Sequence, residues 1–103
     1  MRGTEREMDV AKRAQAIEWL KMELVDQVSR LFKALWDGSV SRLTDSLASL
    51  ISSGYILGRR LGIPYRELDE AIIAKLRKLS QEGHTLEDAY HDLSTLEEHI
   101  RKR

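Results

Sequence analysis

A single proline, Pro64, and a handful of glycines punctuate an otherwise continuous three-and-four spacing of apolar residues. That pattern leaves room for helices and for little else. From Val10 the apolar positions recur as Val10, Ala14, Ile17, Leu24, Val28, Leu31 and Leu35, the spacing of one face of a long helix. The series misses a turn at Lys21, with Trp19 and Leu20 off to one side, so the spacing predicts a kink or two consecutive helices near residues 18–22. Asp37-Gly38 supplies a stop. Ser39 or Ser41 caps the next helix, with a seam of Leu43, Leu47, Leu50, Gly54, Leu57 and Leu61 closed by Gly62. Pro64 then belongs in the first turn of a third helix, running to about Gly83 with Leu68, Ile72, Leu76 and Leu79 inward. Thr85 followed by Asp88 resembles a capping box. The last helix follows, with Leu86, Ala89, Leu93, Leu96 and Ile100 on one side, and ends on Arg101-Lys102-Arg103, where positive charge suits the helix dipole.

Short connections favour antiparallel neighbours, so the expected architecture is all-α: an antiparallel four-helix bundle, five-segmented if one helix divides. At 103 residues the chain fits one domain, 1–103, with residues 1–8 expected as a flexible tail. Lys+Arg and Asp+Glu are equal at 17 each, which gives no overall field towards nucleic acid or an anionic membrane. The absence of cysteine excludes disulfides, thiol catalysis and Cys-based zinc sites. No apolar run matches a signal-peptide core or a membrane span, so a cytoplasmic location without a membrane partner is expected.

The second helix is unusual in two ways. Gly54 and Gly58 lie four apart, and each costs about 1 kcal/mol of helix propensity against alanine. The expected offset is close approach of another helix, argued from sterics. Beside the leucine seam runs a serine stripe, Ser46, Ser49 and Ser53, with Ser52 next to it. Two readings stay open. The favoured one has small residues packing tightly and bonding back to carbonyls one turn earlier; the other is a small polar pocket.

Residues 23–80 resemble the MazG family of nucleotide pyrophosphohydrolases. The family's Leu-Ala-Glu-Glu-Val-Gly-Glu-Leu helix is matched by Leu24-Val25-Asp26-Gln27-Val28-Ser29-Arg30-Leu31. Its Glu-x-x-Asp motif is matched by Ser46-Leu47-Ala48-Ser49, followed by an apolar stretch closing on Leu61-Gly62-Ile63. A third block is matched by Glu67-Leu68-Asp69-Glu70-Ala71-Ile72-Ile73-Ala74-Lys75-Leu76. In such enzymes two carboxylates on each of two antiparallel helices hold magnesium, which activates a water to cleave between the α and β phosphates. By that resemblance the four ligand positions are Gln27, Arg30, Ser46 and Ser49, none of them an acid. Arg30 puts a permanent positive charge where a dication would sit. Glu23 and Asp26 are three apart and offer a shifted half-site, while Asp45 is the sole carboxylate of the second helix. A residual polar or anion pocket would draw on Glu23, Asp26, Arg30, Ser46, Ser49 and Ser53. Against this, Arg30 would pair with Asp26 as ordinary helix charges do.

His84, His91 and His99 are spaced seven and eight apart, too far along one helix to share a metal ion. Trp19, Trp36, Tyr55 and Phe32 read as packing or interface anchors. Arg59-Arg60 and the basic C-terminus are short, and nucleic-acid binding is the weaker reading. The expectation is a MazG-like domain that has lost magnesium-dependent hydrolysis, needs no cofactor, and acts as a self-associating interaction module. The resemblance implies a homo-oligomer, dimer or tetramer, with a nucleotide or anion as candidate ligand. The alternative is a house-cleaning nucleoside triphosphate pyrophosphohydrolase with a rearranged or weak magnesium site.

Overall fold

The computed structural model describes residues 2–103, with side chains from residue 3 onward. The described residues form five helices and no strand: α1 Arg2–Asp37, α2 Val40–Arg60, α3 Tyr65–Gln81, α4 Thr85–Tyr90 and α5 Asp92–Lys102. They divide into two compact units, Met1–Ile63 and Pro64–Arg103.

The first unit is a helical hairpin. Helix α1 runs through Lys21 without a break and begins well before Val10, so the expected kink at residues 18–22 is absent and the helix includes residues expected in the tail. Nothing at 18–22 forces a break: there is neither proline nor glycine, and Lys21 Nζ pairs with Glu18 Oε1 at 2.6 Å. Gly38, at φ +69°, ends the helix and donates its N–H to Ala34 O at 2.9 Å. Ser39 caps α2, its Oγ accepting from Arg42 N. At the far end Ile63 N donates to Gly58 O at 2.8 Å and Gly62 N to Arg59 O at 3.0 Å. With Gly62 at φ +93° this is a Schellman closure. Pro64 follows as the cap of α3, one residue outside the helix instead of in its first turn.

The inward faces of the hairpin differ from those the spacing predicts. Leu20 and Ala34 are buried on α1, with Leu24 and Leu31 half-buried, whereas Val28 and Leu35 are exposed. On α2 the buried positions are Ser46 and Gly58, flanked by half-buried Leu43, Leu50 and Leu57, while Leu47 and Leu61 are exposed. Both helices carry apolar residues over more than half their circumference, so periodicity alone could not choose the face.

In the second unit Leu76, Leu93 and Ile100 form the core, with Ile72, Ile73 and Leu79 against it. Helices α3 and α5 run antiparallel. Arg103 Nη2 donates to Asp69 Oδ1 at 2.8 Å, and Arg77 Nη2 donates to Glu97 Oε2 at 3.4 Å. The expected last helix is two helices. The break is at His91, in left-handed backbone at φ 57°, ψ 28°. Its cap also differs: His84, not Thr85, caps α4, with Nδ1 accepting from Leu86 N at 3.1 Å. Leu86 and Leu96 consequently point outward.

Candidate functional site

The four positions singled out by the sequence lie on the α1–α2 hairpin, and two contacts fix its register. Arg13 Nε donates to Arg60 O at 3.2 Å near one end, and Arg42 Nη1 meets Asp37 Oδ2 at 2.8 Å at the other. An antiparallel pair held at both ends this way sets Gln27 across from Ser49 and Arg30 across from Ser46. Arg30 and Ser46 indeed line one groove of about 450 Å³, together with Lys33, Asp37, Arg42 and Asp45.

Two of the four side chains already have partners on their own helix. Gln27 is buried, and its Nε2 donates to Glu23 Oε2 at 3.2 Å, one turn back on α1. Arg30 Nε pairs with Asp26 Oδ2 at 3.0 Å, and both remain largely in solvent. Glu23 and Asp26, the carboxylates of the shifted half-site, are therefore engaged by their own helix. Ser46 is buried, and Ser49 and Ser53 are half-buried on the side of α2 that meets α1. The inner surface of α2 thus combines the serine stripe with Leu43, Leu50 and Leu57 of the leucine seam, and leaves Leu47 and Leu61 outside. Small side chains there suit close packing of the two helices, and Ser46 also lines the groove.

The glycine pair divides. Gly58 is buried and its carbonyl accepts the closing bonds of α2. A Cβ built on Gly54 meets nothing within 4 Å among the described residues, so the close approach expected of α1 is not made there. Sequence reasoning missed Lys33, Asp37, Arg42 and Asp45 as groove residues. A signal existed: Arg30, Lys33 and Asp37 fall three and four apart on one side of α1.

A family model describing the MazG-like family matches residues 10–93. The chain belongs to the MazG-like family. The match takes in α1 from its third turn, the whole of α2 and the four positions above, and it places the chain in the nucleotide pyrophosphohydrolase superfamily. Neither a curated protein nor a solved structure matches the chain significantly. For a MazG-like helix pair the donors at these positions are one amide, two hydroxyls and one guanidinium. Magnesium takes anionic oxygen from carboxylates and phosphates, and this set supplies none. Among the described residues no three of His, Asp and Glu come together in a cluster able to hold a metal ion. Among them, too, no helix is long and apolar enough to cross a membrane.

Proposed function

We propose that this MazG-like chain has lost magnesium-dependent nucleotide pyrophosphohydrolysis and acts as a self-associating binding module. The observation that carries this is the pairing at two of the four positions. Gln27 bonds to Glu23 and Arg30 pairs with Asp26, so the two nearby carboxylates face helix partners instead of a shared cavity. An amide and two hydroxyls offer only dipoles, and the guanidinium repels a dication outright. Anything bound in the groove would be an anion or nucleotide held by Arg30, Lys33 and Arg42, in competition with Asp26 and Asp37.

The test is pyrophosphate release from a panel of ribo- and deoxynucleoside triphosphates, with magnesium and with manganese, beside an Asp26→Ala control. Silence across the panel is expected. Activity lost in the control would establish the alternative, a pyrophosphohydrolase whose metal site has moved towards Glu23 and Asp26.

A further inference from the structure

The basic pair Arg59-Arg60 is short in the sequence, but folding doubles it. The antiparallel hairpin sets the last turn of α2 beside the early turns of α1, where Lys12 and Arg13 stand. A cleft of about 400 Å³ opens between the two helices there, lined by Asp9, Lys12, Arg13, Ala16, Arg59 and Arg60. That lining holds four cations and one carboxylate, in a chain whose acidic and basic residues are equal in number. All four cationic residues are exposed, with half-buried Ala16 beside them.

Helix chemistry accounts for part of this charge. Two cations in the last turn suit the negative end of α2. Arg13 Nε covers one of the carbonyls left over at that end, Arg60 O, at 3.2 Å. The rest is not accounted for. Asp9, four residues before Arg13, is its ordinary helix partner, and pairs so spaced do form at Asp26–Arg30, Arg66–Glu70 and Glu98–Lys102. Yet among the described residues Lys12, Arg13 and Arg60 enter none of the ion pairs. A cleft walled by one sign of charge concentrates the field and draws in ions of the other sign.

We propose that this cleft is an anion site that takes a short chain of joined phosphate groups. Guanidinium groups grip phosphate oxygens through paired N–H donors, and Lys12 adds a point charge. One phosphate carries about −1.5 to −2 at neutral pH, short of the cleft's excess of three positive charges; two or three joined phosphates supply it. No aromatic ring is among the described residues of the lining, so nothing there stacks on a base. A free oligophosphate and the phosphate tail of a nucleotide are therefore bound alike. The site is separate from the groove at Arg30 and Ser46, since Arg60 lies about 21 Å beyond Ser46 along α2. It does not rest on the fate of the magnesium positions.

Isothermal titration of the full chain with tripolyphosphate, at about 50 and 200 mM salt, tests this. Binding that weakens at the higher salt is expected. Lys12→Gln with Arg60→Gln removes two charges and leaves the Arg13 bond, which uses the Arg60 main chain. That variant is expected to be as helical as the wild type by circular dichroism and to bind about tenfold more weakly or worse. Arg66→Gln with Lys78→Gln, an equal change in net charge in the other unit, is expected to bind as the wild type does. Adenosine triphosphate is expected to bind no better than tripolyphosphate. A wild type that binds neither would overturn the site, as would equal loss in both double variants, which would reduce it to net charge. Loss confined to Arg30→Gln with Arg42→Gln would overturn it too, by placing the anion in the other groove.

Discussion

Glu87 of α4 reaches over the break at His91 to the first turn of α5, where its Oε1 accepts the backbone N–H of Ser94 at 2.9 Å. That N–H is one of the donors a helix start leaves without an intrahelical partner. The bond, helped by the Ser94 side chain, holds the Glu87 carboxyl below its ordinary value. A carboxylate favoured by folding contributes stability that is present above its unfolded pKa and is lost as pH falls through the folded value. Thermal melts of wild type and Glu87→Gln should therefore differ at neutral pH and converge as the pH drops below about 4.5. Curves that stay parallel down to pH 3 would contradict the assignment.

His91 occupies left-handed backbone without being glycine. That conformation costs a side-chain-bearing residue about 1 kcal/mol. The accompanying His91–Glu87 contact, at 3.9 Å with His91 mostly in solvent, returns little. His91→Gly should leave stability unchanged or raise it by up to about 1 kcal/mol, whereas His91→Val should lower it by about 1–2 kcal/mol. Chemical denaturation of the pair checks the ordering.

Leu20 is 3% exposed and Ala34 2%, the two most buried apolar side chains of the hairpin. Leu20→Ala should cost about 2–3 kcal/mol, at the low end for such a truncation because a pair of helices can close over the gap. Ala34→Leu should cost about 1–3 kcal/mol by forcing α1 from α2 near the Gly38 turn. Urea midpoints that barely move would mean that these helices do not pack in this register.

Restoring acids at the ligand positions tests the chemistry from the other side. Gln27→Glu, Arg30→Glu, Ser46→Glu and Ser49→Asp together should lower the melting temperature in chelator, through repulsion between carboxylates. Millimolar magnesium should then raise it by mass action. The wild-type midpoint should not respond to the metal. A wild-type response equal to that of the variant would show that the native side chains bind the ion.

The helix boundaries were largely readable because glycine writes them. Gly38, Gly62 and Gly83 each sit at positive φ at a helix end, the conformation only glycine adopts without strain. The break at His91 was not readable, since histidine is no turn signal and the left-handed residue is held by its surroundings. The inward faces were half readable. In α3 one apolar row exists, and Ile72, Leu76 and Leu79 fall where the spacing puts them. In α1 two rows overlap, and the choice between Val28 and Gln27 depends on α2, which the local pattern does not contain. At the ligand positions, family resemblance named the residues. The partners Glu23 and Asp26 could be guessed from helical spacing, but the depth of Gln27 and Ser46 could not.

Helix α1 is 36 residues long and α2 is 21, and Arg13 already lies against Arg60, the last residue of α2. The first two turns of α1 thus extend past the end of their neighbour by roughly 10 Å or more at 1.5 Å per residue. Met8 on that overhang is well exposed, and a helical stretch so short is marginal on its own in water. Its amides should be the first of α1 to exchange with deuterium. Evolution could also lengthen, shorten or retag this arm with almost no penalty to the hairpin behind it, which makes it a place where change is cheap.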